Sequence, residues 1–209
     1  MNPDQFVSFL GRHRASAILR TSVEGAAGPA MEAALRGGFK VIEFTLTTPE
    51  ALALIGEFAK RPAIVVGAGT VLGVDQAKAA VEAGARFLVS PVVDPAVIET
   101  ARSLDVAVMP GTHTPTEMLA AHRAGAPLQK LFPAPGIGPA YVKACLGPMP
   151  FLRIVPTSGV DESNAAAYLE AGSFAVGFVT SLFDPDDLAA GRFDRIEQRA
   201  KTMLAAIGP

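Results

Sequence analysis

Cysteine is nearly missing from this chain, and tryptophan is missing altogether. The single thiol, Cys145, has no partner for an internal disulfide, and one thiolate cannot build a metal cluster. Histidine is scarce too. His13, His113 and His122 show no paired metal spacing such as H-E-x-x-H, so no metal is expected. Charge of one sign is also lacking. The 18 Lys and Arg against 20 Asp and Glu leave a net charge of -2, which gives no basic field for nucleic acid or an acidic membrane. No uninterrupted apolar stretch is long enough to span a bilayer. The N-terminus has no basic region followed by an apolar run, so no signal peptide is expected and the cytoplasm is the default location.

What is present is a large apolar fraction. Half of the 209 residues are hydrophobic and 18% are charged, which suits one folded domain with a sizeable core. Residues 3–13 read as a short helix with Phe6, Phe9 and Leu10 on one face. Short apolar runs then recur roughly every 19–25 residues, about the length of one strand, one helix and two loops. They are 15–20, 41–45, 64–67, 87–90, 106–109, 128–133, 152–155 and 174–177. Gly38, Gly84, Gly125 and Gly172 each lie two or three residues before one of these runs, placed to end a helix in the left-handed conformation. Strands alternating with helices imply a parallel sheet with right-handed crossovers. Eight units imply a closed (β/α)8 TIM barrel, here with an extra N-terminal helix and no second domain. A doubly wound open sheet is the runner-up, but Gly67-Ala68-Gly69-Thr70 lacks the third glycine of a dinucleotide fingerprint.

Two of the runs hold a charge where buried strands rarely do. Lys130 sits in the middle of Leu128-Gln129-Lys130-Leu131-Phe132-Pro133, and Glu43 in Val41-Ile42-Glu43-Phe44-Thr45. Side chains alternate along a strand, so Lys130 shares a face with Leu128 and Phe132, and Glu43 with Val41 and Thr45. A buried ammonium must be paired or lose its proton, and a neutral amine is the nucleophile of Schiff-base chemistry. The bland alternatives are a snorkelling lysine and a structural ion pair. Barrel interiors are normally filled by branched apolar side chains, which favours a functional pair.

The mouth of the barrel carries further candidates. Thr157, Ser158 and Gly159 follow the seventh strand, and Thr180 and Ser181 the eighth. Barrels often bind phosphate with these two loops, although Ser/Thr/Gly loops also cap helices everywhere. Arg20 ends the first strand and can pair with a substrate carboxylate or phosphate, or form a surface salt bridge. Thr70 and Pro91 end strands three and four and line the mouth. His113, after the fifth strand, reads as a loop histidine rather than a catalyst.

Taken together, several motifs resemble a known family. Glu43-Phe44-Thr45-Leu46-Thr47-Thr48-Pro49, Gly67-Ala68-Gly69-Thr70-Val71-Leu72, Ser90-Pro91, Met109-Pro110-Gly111, Lys130-Leu131-Phe132-Pro133 and Pro156-Thr157-Ser158-Gly159-Val160 stand in the order and spacing of the 2-keto-3-deoxy-6-phosphogluconate (KDPG) aldolases. That group includes the 6-phosphogalactonate (KDPGal) and 4-hydroxy-2-oxoglutarate aldolases. The resemblance implies a homotrimer of barrels and class I aldol chemistry without a metal. It makes Lys130 the Schiff-base lysine and Glu43 the general acid/base. It puts Thr70, Pro91 and Phe132 around pyruvate, and Thr157, Ser158, Gly159 and Thr180 at the phosphate. Arg20 matches an arginine of the galactonate-type members.

There are departures from the pattern. Many gluconate-type members have an arginine where this chain has Thr47, and the glycine expected after the eighth strand is Val179. The expected function is cleavage of a 2-keto-3-deoxy-6-phospho sugar acid or 4-hydroxy-2-oxoglutarate to pyruvate or a glyoxylate-type product plus aldehyde. The covalent imine on Lys130 serves in place of a cofactor. The alternatives are a phosphosugar isomerase or epimerase on the same barrel, or a catalytically silent metabolite-binding protein.

Overall fold

Eight short strands line up in parallel around one axis: β1 (Ala15–Leu19), β2 (Val41–Thr45), β3 (Val65–Gly69), β4 (Phe87–Ser90), β5 (Ala107–Thr112), β6 (Gln129–Leu131), β7 (Ile154–Pro156) and β8 (Val176–Phe178). The computed structural model describes residues 1–208. The strands are neighbours in the order β7-β6-β5-β4-β3-β2-β1-β8. The ends meet through a bridge between Thr157 and Gly177 and through the Phe174 N–H, which donates to Ile154 O at 2.8 Å. The expected (β/α)8 barrel is therefore the fold.

Helices follow the strands as the alternation requires: α1 (Pro3–His13) before β1, then α2 (Ala27–Arg36), α3 (Ala51–Phe58), α4 (Val74–Ala83), α5 (Pro95–Ser103), α6 (Pro115–Arg123), α7 (Pro139–Leu146) and α8 (Ala165–Glu170) between strands. Beyond β8 come α9 (Pro185–Ala189) and α10 (Phe193–Ile207). Gly38, Gly84, Gly125 and Gly172 all have φ between 96° and 117°, the left-handed turn anticipated for them.

Strand limits shift from the sequence reading, mostly toward the C-terminal end. β3 runs on to Gly69 rather than stopping at Gly67, because Glu43 and Thr45 of β2 pair in register with Gly67 and Gly69. Ladder pairing overrides the weak strand preference of glycine. β5 likewise extends to Thr112, where Gly111 and Thr112 pair with Lys130 and Leu131. β8 starts at Val176, two residues later than expected. Arg20 falls just past β1, free of the ladder.

The core has two parts. The larger fills the space between sheet and helices and includes Ile42, Phe44, Val66, Leu88, Val108 and Ile154. The smaller fills the barrel itself, with Val41, Val65, Phe87, Val89, Met109, Leu128 and Val155. Phe6 and Leu10 of α1 belong to that inner cluster, and the Phe6 ring stacks on Phe87 with centroids 4.4 Å apart. The amphipathic α1 is thus a plug at the N-terminal end of the barrel, and the C-terminal end is left open for chemistry. Outside, the buried Asp187 of α9 pairs with Arg192, Arg195 and Arg199, fastening α9 to α10. No helix among the described residues is long and apolar enough to cross a membrane.

Candidate active site

The two inner-cluster residues Val41 and Leu128 decide which way the strand charges point. Each is two residues before a charge, so Glu43 and Lys130 project into the same barrel interior, one step closer to the open end. Glu43 is completely buried and Lys130 is 6% exposed. Neither Glu43 oxygen has a hydrogen-bond partner. The two side chains form no direct ion pair among the described residues, yet each charge acts on the other's titration.

Burial sets the protonation of both. It pushes the Glu43 carboxyl above its usual range, against the pull of the Lys130 and Arg20 cations. It pushes the Lys130 amine below its usual range; the Glu43 charge opposes this and the Arg20 charge adds to it. Both shifts favour the neutral forms, an acid and a free amine. The Lys130 nitrogen lies 5.2 Å from the centroid of the Phe132 ring. The Lys130 carbonyl accepts from the Thr112 hydroxyl at 3.0 Å, which pins the strand behind it.

Glycine makes the room these groups occupy. A Cβ on Gly69 would overlap Glu43 Oε1, and a Cβ on Gly177 would overlap the Thr157 methyl. The interior therefore changes from apolar filling near α1 to a polar layer walled by bare backbone.

Arg20 closes this layer from the β1 side. Its guanidinium donates to the Thr70 hydroxyl at 3.0 Å, and Thr70 has a left-handed φ of 59°. A cavity of about 420 Å³ opens here, lined by Arg20, Thr21, Ser22, Thr47 and Leu188 among others. Thr47 is exposed, and its hydroxyl lies 3.1 Å from that of Thr45. Three larger cavities lie elsewhere, one between α2 and α3, one between α3 and α4 and one along α1, none of them lined by Lys130.

The remaining candidates sit on the rim. Pro91 is half-buried with its carbonyl against Gly111. Thr157 is buried, and its N–H donates to Leu131 O at 3.0 Å. Ser158 and Gly159 have φ of 63° and 94°, two consecutive left-handed residues. The turn stands in the loop after β7, where barrels often bind phosphate. Ser181 donates to Val160 O at 2.7 Å and ties the last loop to this turn. Thr180, next to Ser181 in the chain, is exposed. Sequence reasoning missed Gly69 as the residue that admits the Glu43 carboxylate. Strand alternation from Val65 carried the signal, since 65, 67 and 69 share a face.

Comparison with known proteins bears on the family and the fold. The family model for KDPG and KHG aldolase matches residues 8–199. A probable 2-dehydro-3-deoxy-6-phosphogalactonate aldolase of Rhizobium meliloti is 39% identical over 193 residues, 91% of this chain and 89% of that one. The KHG/KDPG aldolase of Escherichia coli K12 is 34% identical over 175 residues, 83% of this chain and 82% of that one. Among solved structures, the KDPG aldolase of Legionella pneumophila, with pyruvate captured as a covalent carbinolamine, superposes with a TM-score of 0.82 at 25% identity, covering 94% of this chain and 97% of that one. A buried amine and an unpartnered carboxylate inside a barrel that matches this family model over nearly its whole length lead to one assignment: the chain belongs to the KDPG and KHG aldolase family.

Proposed function

We propose that this protein is a class I aldolase that cleaves a 2-keto-3-deoxy-6-phospho sugar acid, of gluco or galacto configuration, or 4-hydroxy-2-oxoglutarate, releasing pyruvate together with an aldehyde, which for 4-hydroxy-2-oxoglutarate is glyoxylate. One observation carries this reading: the Lys130 amine, driven toward its neutral form by burial, shares the barrel interior with a carboxylate whose two oxygens have no partner. A buried polar group without a partner is costly, and a substrate hydroxyl or a water between the two groups would satisfy it.

The chemistry follows from those two groups. The Lys130 amine adds to the C2 ketone, and Glu43 in its acid form protonates the carbinolamine oxygen, which leaves as water. The resulting iminium is the electron sink. Glu43, now a carboxylate, takes the proton of the C4 hydroxyl. The C3–C4 bond breaks, its electron pair enters the iminium, and C4 departs as the aldehyde. The enamine is protonated at C3, and water hydrolyses the imine to release pyruvate and the free amine. The iminium takes the electrons that a Lewis acid would otherwise accept, so the mechanism needs no metal and no free cofactor.

Other residues hold the substrate. Arg20, fixed by Thr70, binds the carboxylate beside the ketone; it supplies the cation that Thr47 does not. Pro91 and Phe132 wall the pyruvate moiety. Thr157, Ser158, Gly159 and Thr180 receive the distal phosphate, using backbone N–H groups of the left-handed turn. The protein acts as a homotrimer. Leu72 and Val92, 57% and 52% exposed in the loops after β3 and β4, are apolar surface suited to a second copy. The test is a panel of KDPG, KDPGal, their unphosphorylated forms and 4-hydroxy-2-oxoglutarate, assayed for release of the 2-oxo acid product with a chelator present. Release from at least one compound is expected, and release from none would refute the proposal.

A further inference from the structure

His113 looks from its sequence like an ordinary loop histidine, and it is exposed. Its bonds are not ordinary. The ring Nδ1 lies 3.0 Å from the Pro133 carbonyl oxygen. A carbonyl only accepts, so Nδ1 carries the hydrogen and donates it. The backbone N–H of His113 donates to Glu117 Oε2 at 2.8 Å, at the start of α6. Its backbone carbonyl accepts from the Tyr141 hydroxyl of α7 at 2.6 Å, and the Tyr141 ring stacks against it with centroids 6.3 Å apart. Held from α6 and α7, the imidazole has little freedom except to meet Pro133.

Pro133 stands three residues after Lys130 and opens the loop toward α7. The next N–H, of Ala134, donates to both Thr157 O and Ser158 O at 3.1 Å. A Cβ on Gly159 would touch Ala134 at 3.8 Å, so the loop packs on the left-handed turn itself. Beyond Ala134 the loop's backbone bonding is local, with the Gly138 N–H donating to Pro135 O. The Pro133 carbonyl and the Ala134 N–H are the two ends of one peptide group, so a single peptide plane joins the imidazole contact to the backbone of the Ser158-Gly159 turn.

We propose that His113 is a positioning residue for the distal half of the substrate, acting through the Pro133 carbonyl on the turn at Ser158 and Gly159. The proposal rests on the aldolase reading given above. It separates two halves of the site. Lys130 is held by its own strand and by Thr112, so imine formation with pyruvate alone does not depend on His113. Recognition of a phosphorylated substrate does, because small displacements of binding groups weaken productive binding.

The test compares His113→Ala, His113→Asn and His113→Gln. An asparagine amide nitrogen reaches the place of Nδ1, whereas a glutamine amide extends toward that of Nε2. Each variant is assayed on whichever of KDPG and KDPGal the wild type cleaves, and separately for borohydride trapping of pyruvate. For His113→Ala, KM is expected to rise about fivefold or more, with kcat within about twofold and pyruvate trapping unchanged. His113→Asn returns KM to within about twofold of wild type, and His113→Gln behaves as the alanine variant. An unchanged KM in His113→Ala, an asparagine variant no better than the glutamine variant, or pyruvate trapping lost in step with cleavage would each overturn the proposal. Should His113→Ala not fold, Tyr141→Phe removes the hydroxyl that holds the histidine and keeps the ring; KM then rises about twofold, and no rise overturns the proposal. If the wild type neither traps pyruvate nor cleaves either compound, the aldolase reading falls and takes this inference with it. If it does both and the variants match it, only this inference falls.

Discussion

Gly69 of β3 lies directly against the carboxylate of Glu43 on β2, so closely that a single added methyl group would overlap Oε1. The absence of a side chain on one strand is what lets the neighbouring strand carry an acid inside the barrel. The same bare backbone offers that acid no donor, which leaves both oxygens unpartnered and the carboxyl biased toward its protonated form.

Gly69→Ala is therefore expected to damage catalysis more than folding. The methyl group must push the carboxylate off its line toward Lys130. A loss of about tenfold or more in kcat/KM is expected from misplacing a catalytic group. Overpacking costs about 1–3 kcal/mol of stability, read from urea unfolding. An unchanged kcat/KM in a folded variant would show that the Glu43 position is not critical.

Glu43 should also leave a signature in the pH dependence of stability. Its carboxyl is raised above 4.5 by burial. Below pH 4.5 it is protonated in the folded and unfolded states alike, and its contribution is fully present. As pH rises above 4.5, the unfolded chain releases the proton while the folded protein still holds it, so stability is lost until the folded group also ionises. Glutamine at this position cannot titrate. Urea unfolding of Glu43→Gln, measured from pH 4.5 upward, should show the variant gaining on the wild type as pH rises. A constant difference would mean that the carboxyl is not perturbed.

Arg20 is expected to matter for pyruvate itself. Arg20→Ala removes the guanidinium fixed by Thr70 and should raise the pyruvate concentration needed for half-maximal imine formation by about tenfold, or about 1.4 kcal/mol. Equal half-saturation in variant and wild type would move Arg20 out of the pyruvate subsite.

Much of this was legible because it follows from local pattern. Val41–Thr45 and Phe87–Ser90 are runs of branched and aromatic residues, and their strand limits match the sequence reading. Lys130 and Glu43 stood out because each interrupts such a run with a charge. β3 was cut short because Gly67 and Gly69 carry no strand preference; only their pairing with Glu43 and Thr45 keeps them in the sheet. α9 and α10 were not anticipated because the strand-helix alternation ends at β8. They are placed by packing of α10 on α2 and α8 and by the Asp187 cluster, which joins residues of two helices. His113 and Gly69 were opaque for the same reason. Their importance lies in which atoms approach through space, Pro133 O in one case and Glu43 Oε1 in the other, and residue type alone does not report that.

The central claim is that the Lys130 amine bonds covalently to a 2-oxo acid, and borohydride reduction in the presence of pyruvate tests it most directly. Peptide mass analysis should show one reduced pyruvyl group on the peptide containing Lys130, with activity lost in proportion, and Lys130→Ala should take up none. Full activity after borohydride and pyruvate, or the adduct on a different lysine, would contradict the account.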